Sequence, residues 1–340
     1  MFKKKVEFGA QPGGSGIDLT DTTRFKLARK IADGGMGSVY EAIQYGADGF
    51  EKVMALKVIQ EGLSRDPEFV EMFIGEAKLV ADLLHINIVQ IYQLGKIDDL
   101  YYIAMEYVNG VNLQEFMGRH LELGLQLPVD LATYIISRIA RALEYAHRKT
   151  DKFGNPLGIV HRDVCPKNIM INTEGVVKLA DFGIAKNRKF IKDQEGEVLM
   201  GKAQYMSPEQ AQYLPTDKRS DVFSLGIVFW QLLTGQDMFA SDKTSVTLEN
   251  VVYKEVVPAR SLNPEIPQEV NQIVMRALER NLTKRYQDAG RMAYDLEFYM
   301  YHDRFGPTFV DLEKYMASLF PQLYVDRPKR DYTPPRVFSH

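Results

Sequence analysis

Three polar side chains at fixed spacing could do chemistry together. Asp163 and Asn168 lie in His161-Arg162-Asp163-Val164-Cys165-Pro166-Lys167-Asn168, and Asp181 opens Asp181-Phe182-Gly183 thirteen residues further on. One carboxylate can accept the proton of an acceptor hydroxyl, while an amide oxygen and a second carboxylate can hold divalent cations. Phosphoryl transfer needs that combination. The competing reading is two unrelated acidic turns, so the weight falls on whether a nucleotide-handling apparatus accompanies them.

Upstream, Ile31-Ala32-Asp33-Gly34-Gly35-Met36-Gly37-Ser38-Val39-Tyr40 is a glycine-rich turn between strands. Glycines let backbone N–H groups approach phosphate oxygens, although a plain hairpin turn has the same composition. A dinucleotide-binding loop fits less well, because it would open a helix where Ser38 to Ile43 reads as strand. Lys57, ending Ala55-Leu56-Lys57, could reach phosphates or be a solvated strand lysine. Asp66-Pro67-Glu68 starts a helix with Phe69, Phe73, Val80 and Leu84 at helical spacing. Glu76 falls on its apolar face, where an unpaired carboxylate is costly, and Lys57 is the candidate cation. Ala104 to Gly110 leaves an apolar strand and turns polar, as a hinge with backbone groups at Glu106 and Val108 facing an adenine edge would, or as any strand exit does.

These residues need a body to position them. The chain has 340 residues, 45% apolar and 26% charged, with formal charge −3, which is ordinary globular composition with no call for nucleic acid or an anionic membrane as partner. One cysteine, Cys165, allows no intrachain disulfide, the histidines show no zinc spacing, and a reducing, cytoplasmic setting is expected. Residues 1–23 read as a flexible leader without a signal peptide's apolar core, and Val222 to Leu233 is too short to span a membrane. Strand patterns occur at Phe25–Ile31, Ser38–Ile43, Val53–Ile59, Ile88–Leu94 and Leu100–Tyr107. Helical periodicity follows from Leu131 to Ala146, Val222 to Leu233, Val270 to Leu278 and Ala289 to Met300, with a short candidate at Val310–Phe320 in the tail. The expectation is an α+β chain: a small sheet-rich lobe joined near 106–110 to a larger helical lobe, with a cleft between.

Gly34-Gly35-Met36-Gly37, Asp181-Phe182-Gly183-Ile184-Ala185-Lys186 and Ala203-Gln204-Tyr205-Met206-Ser207-Pro208-Glu209-Gln210 resemble motifs of the eukaryotic-like Ser/Thr protein kinases, most closely their bacterial branch. The resemblance covers about residues 24–300. It implies the two-lobed protein kinase fold, with an N-lobe at 24–105, a hinge at 106–110, a C-lobe at 111–300 and an extension at 301–340. It also implies ATP and Mg2+ as cosubstrates and protein Ser/Thr hydroxyls as acceptors. By that resemblance Asp163 is the proton acceptor, Lys57 and Glu76 position ATP, and Asn168 and Asp181 hold the metal. Ile31, Ala32, Gly34, Gly35, Gly37, Val39, Ala55, Glu106, Val108 and Met170 line the nucleotide site. His161, Phe182, Val80 and Ile91 match a hydrophobic spine. Residues 201–209 match a substrate platform, and Glu209 pairs with Arg285, in the core or as a surface ion pair. A nucleotide-binding pseudokinase scaffold is the alternative, and a small-molecule kinase a weaker one.

Three departures stand out. The family's Ser/Thr members usually carry Lys two residues after the catalytic Asp, where this chain has Cys165. Lys167, four residues after Asp163, is expected to return the charge as a catalytic residue, with Lys202, where a Thr is usual, as the alternative. Ala32 also stands where the first glycine of the loop is usual. Between Ile184 and Met206 there is no Ser or Thr: Tyr205 is the one hydroxyl, and Asp193, Glu195 and Glu197 supply negative charge instead.

Overall fold

The computed structural model describes residues 24–34, 37–97, 99–182, 202–303 and 305–325. The leader 1–23, the tail 326–340 and the acidic segment with Asp193, Glu195 and Glu197 lie outside the described residues.

The first lobe is an antiparallel sheet of β1 (Arg24–Gly34), β2 (Gly37–Tyr45), β3 (Glu51–Ile59), β4 (Ile91–Ile97) and β5 (Leu100–Met105), in the order β1-β2-β3-β5-β4. Alternation along β3 separates its roles. Met54 and Leu56 pack with Ala42, Tyr102 and Ala104, while Ala55 and Lys57 point to the other face. Register puts Val39 opposite Lys57 and Met105 opposite Ala55, so these residues share a face. After the short helix α1 (Glu61–Ser64), helix α2 (Pro67–Ala81) starts as its sequence predicts: Asp66 accepts from the Glu68 and Phe69 amides at 3.0 and 3.3 Å. Phe69, Phe73 and Ala77 pack against Ile59 and Ile103. Leu84 is a correction: it lies beyond the helix and is 68% exposed.

The strand expected at 88–94 begins at Ile91. Residues 87–89 are stitched to the other lobe, since the Val89 amide donates to the Leu179 carbonyl at 2.9 Å and the Leu179 amide to the Asn87 carbonyl at 2.8 Å. A β-branched run reads the same whichever sheet takes it.

The second lobe carries a small sheet, β6 (Gly110–Asn112), β7 (Ile169–Asn172) and β8 (Val177–Leu179), on a helical body. Its helices are α3 (Leu113–Leu123), α4 (Val129–His147), α5 (Pro208–Ala211), α6 (Lys218–Thr234), α7 (Thr244–Tyr253), α8 (Ala259–Leu262), α9 (Gln268–Ala277), α10 (Ala289–Tyr301) and α11 (Phe309–Leu319). Helix α6 is apolar nearly all round and is correspondingly central: Val222 to Trp230 are all buried. Asp217 caps its start, and Gly235 ends it in the left-handed conformation at φ 68°. Among the described residues no helix is long and apolar enough to cross a membrane.

The tail helix α11 belongs to the same core. Leu312, Met316 and Leu319 are buried with the residues of α4, the His120 Nε2 meets the Tyr315 hydroxyl at 2.8 Å, and Arg119 Nε donates to the Leu319 carbonyl at 3.2 Å.

Candidate active site

A buried carboxylate sets the catalytic loop. Asp221, in the first turn of α6, accepts from the His161 amide at 2.8 Å, the Arg162 amide at 2.7 Å and His147 Nε2 at 2.8 Å. Burial alone would raise its carboxyl; the His147 hydrogen bond and the neighbouring imidazoles outweigh that and hold it below the usual carboxylate range. The clamp lets Arg162 occupy φ 60°, a left-handed conformation that side chains resist, and so reverses the chain just before Asp163. The His161 ring is fixed in turn. Its Nδ1 accepts from the Asp163 amide at 3.2 Å, its Nε2 donates to the Ala180 carbonyl at 3.0 Å, and its face meets Phe182 at 4.6 Å between ring centres.

Asp163 is thereby presented with its carboxylate oriented. Asn168 Nδ2 donates to both the Asp163 carbonyl and its Oδ2 at 2.8 Å, and Lys202 Nζ reaches the same Oδ2 at 2.8 Å. Lys167 is exposed, without an ion pair or hydrogen bond among the described residues. This corrects the expectation for Lys167: the lysine that the fold brings to Asp163 is Lys202, because the turn before α5 carries it there. Cys165, buried at 2% exposure, stays within the electrostatic reach of that amine.

Asp181 follows at φ 52°. The Ala180 amide donates to the Asn168 carbonyl at 2.8 Å, tying the two chemical motifs together. Lys57 Nζ bonds Asp181 Oδ1 at 2.7 Å. Burial pushes the Asp181 carboxyl up, but Lys57 and then Lys202 hold it below the usual range. Glu76 lies within α2, but its side chain, and with it the expected Lys57–Glu76 pair, is outside the described residues. Among the described residues no three His, Cys, Asp or Glu side chains gather as a metal cluster. Mg2+ does not require one, since it takes one or two protein oxygens and completes its shell with water and phosphate. Asp181 and the Asn168 amide oxygen, whose nitrogen is already engaged by Asp163, fit that donor set.

The remaining wall comes from the first lobe and the hinge. Gly34 pairs with Gly37 across the tip of the glycine turn, and a Cβ at Gly37 would lie 2.1 Å from the Val58 carbonyl oxygen, so no larger residue fits there. Gly35 lies outside the described residues. Ile31 and Ala32 stand on β1, Val39 on β2 and Ala55 on β3, and Met170 is half-buried on β7. At the hinge, Lys178 Nζ bonds the Glu106 carboxylate and the Ile86 carbonyl, both at 2.9 Å, and the Glu106 amide donates to Gln90 at 2.8 Å. Among the described residues the Glu106 carbonyl and the Val108 amide make no hydrogen bond. Both remain available to an adenine edge.

The expected Glu209–Arg285 pair is in the core. Arg285 donates to both Glu209 oxygens at 2.8 and 3.3 Å, and Ser220 Oγ adds a bond at 2.7 Å. Burial raises the Glu209 carboxyl, and Arg285 more than reverses it. Ser207 opens α5 with a capping box to Gln210, whose Nε2 also donates to the Arg162 carbonyl at 3.0 Å. Sequence reasoning missed three holders of the site: Asp221, His147 and Lys178. Asp221 had a signal, being the one charged residue between Ser220 and Leu233. The other two had none.

A five-stranded lobe above a helical lobe, with Asp163, Asn168, Asp181 and Lys57 converging at their junction, defines the protein kinase fold. The chain belongs to the protein kinase family, whose domain description, "Protein kinase domain", matches residues 25–294. It is 35% identical over 296 residues to the Tyrosine-protein kinase MasK of Myxococcus xanthus, with 87% of this chain and 46% of that protein covered. It is 35% identical over 275 residues to the Serine/threonine-protein kinase PrkC of Bacillus subtilis, with 81% and 40% covered. The Serine/threonine-protein kinase PknA of Mycobacterium tuberculosis is also 35% identical, over 283 residues, with 82% and 61% covered. The chain thus spans about half the length of the curated relatives it matches. The PknI kinase domain crystal structure from Mycobacterium tuberculosis superposes with a TM-score of 0.61 at 24% identity, covering 80% of this chain and 95% of that one, and shares the fold.

Proposed function

We propose that the chain transfers the γ-phosphoryl group of ATP, with Mg2+, to Ser or Thr hydroxyls of proteins. The observation that supports the reading is the hydrogen bond from Asn168 to Asp163 together with the Ala180–Asn168 bond that ties Asp181's segment to the same loop, an arrangement suited to a proton acceptor beside metal-binding oxygens. Asp163 takes the acceptor proton, Lys57 pairs with the α- and β-phosphates once it leaves Asp181, and Asn168 and Asp181 hold Mg2+, which neutralises the phosphate charge. The free Glu106 carbonyl and Val108 amide receive the adenine. The names of PrkC and PknA support Ser/Thr acceptors; MasK's name favours Tyr as a second reading. The single cysteine and the use of ATP support a cytoplasmic setting.

A mixed Ser/Thr/Tyr peptide pool incubated with Mg·ATP, its products assigned by mass spectrometry, tests this. Phosphoserine and phosphothreonine from the wild type and none from Asp163→Asn are expected. Phosphotyrosine alone would overturn the acceptor assignment, and no product from either protein would favour a nucleotide-binding scaffold.

A further inference from the structure

The fold has moved a cation. Two residues after Asp163 the side chain is a buried thiol, and the ammonium group at Asp163 comes from Lys202, 39 residues further along the chain. Lys202 Nζ shares Asp163 Oδ2 with Asn168, each at 2.8 Å, and is 31% exposed where Asp163 is 8% exposed. The amine is thus the more solvent-accessible partner of a largely buried carboxylate. Its charge is secure: burial would lower its pKa, but Asp163, Cys165 and Asp181 together raise it. Lys202 thus feels the proton acceptor and the metal-binding carboxylate at once. Lys167 is exposed and without such a partner among the described residues.

We propose that Lys202 is the cation that contacts the transferred phosphoryl group, its place exchanged with that of Cys165. This rests on the phosphotransferase reading. In the step, the acceptor hydroxyl gives its proton to Asp163 and its oxygen forms the new bond to the γ-phosphorus. The bond from that phosphorus to the β–γ bridging oxygen breaks, and its electron pair leaves with ADP. Lys202 stays protonated throughout and offsets the charge on the equatorial oxygens.

The exchange has a consequence for control. Lys202 opens the turn Lys202–Met206, in which the Tyr205 amide donates to the Lys202 carbonyl at 3.0 Å and Ala203 is fully buried. The Tyr205 hydroxyl ties the turn to α6 by donating to Gln231 Oε1 at 2.8 Å, and Gln231 donates to Asp237 at 2.6 Å. The phosphate-contacting cation is therefore delivered by the segment leading into α5, on the substrate side, and not by the catalytic loop. Tyr205 is a positioning residue for it. Seating of this turn and competence for transfer become one event.

The test combines a footprint with an exchange. Isotopic reductive methylation of the unaltered chain, read at Lys202 by mass spectrometry, should be slowed at least fivefold by Mg·AMP-PNP and little by Mg·ADP, because only the former carries a γ-phosphate. Lys202→Ala should lower turnover about a hundredfold, the usual effect of removing one donor to the reacting group, with ADP affinity unchanged within twofold. Cys165→Lys combined with Lys202→Thr should recover at least tenfold of that loss. Equal methylation with both nucleotides, Lys202→Ala keeping more than a third of wild-type turnover, or a larger loss in Lys167→Ala than in Lys202→Ala would each overturn the assignment. The footprint needs no variant to fold. A wild type that binds Mg·AMP-PNP and protects Lys202 yet transfers nothing would refute the kinase reading while leaving Lys202 at the γ-phosphate.

Discussion

Replacing Asp221 by Asn tests how the catalytic loop is held. The carboxylate accepts three bonds, two on Oδ2 from His147 and the His161 amide and one on Oδ1 from the Arg162 amide, at 2.7 to 2.8 Å. An amide keeps one oxygen. If that oxygen faces His147 and His161, the new NH2 group confronts the Arg162 N–H, donor to donor. An unsatisfied buried N–H costs about 1–3 kcal/mol, and the two surviving bonds lose their charge assistance, so a total near 3 kcal/mol is expected. Arg162 gains a further reason to relax, because its left-handed backbone costs about 1–2 kcal/mol when nothing compels it. Relaxation there moves Asp163 and leaves the hinge untouched. Urea unfolding should show the lost stability, turnover should fall at least tenfold, and nucleotide affinity should stay within about threefold. A loss below ~1 kcal/mol with normal turnover would refute the clamp.

Arg285→Ala should destabilise by about 3–5 kcal/mol, the cost of leaving a buried Glu209 carboxylate without its partner, read as a lowered denaturant midpoint. Glu209 titrates lower folded than unfolded, so its stabilisation is complete above the ordinary glutamate range and is lost as pH falls through the depressed folded value. Acid unfolding of Glu209→Gln should lack that part of the pH dependence; an unchanged acid limb would contradict it. Gly37→Ala should weaken nucleotide binding at least tenfold, because its Cβ would sit 2.1 Å from the Val58 carbonyl oxygen and the turn must move. With no Ser or Thr from Ile184 to Met206, phosphatase-treated protein should retain full activity, and a loss on treatment would place the switch elsewhere.

Chemistry was more legible in the sequence than its supports. Asp163, Asn168 and Asp181 announce themselves because their types and spacing are set by the reaction, and Pro67 behind Asp66 or Gly235 after α6 mark ends by local backbone physics. The hydrogen bonds that aim those groups come from residues far off in the chain. Lys178 reaches Glu106 across 72 positions and Lys202 reaches Asp163 across 39, and no periodicity records such a meeting. The 87–89 segment shows the same limit, its apolar pattern fixing that it is buried without fixing which lobe's sheet takes it. Helix α3 is absent from the sequence expectation although Asn112 and Glu115 form a capping box at its start, because that signal is short and lies beside the polar exit of a strand.

The most direct measurement is transfer of labelled γ-phosphate from ATP, made in parallel with nucleotide binding on wild type, Asp163→Asn and Asp181→Ala. The wild type should transfer label. Asp163→Asn should bind Mg·ATP with near-normal affinity and transfer none, and Asp181→Ala should lose transfer together with the Mg2+ dependence of binding. Folded variants that keep wild-type transfer would contradict the account at its centre.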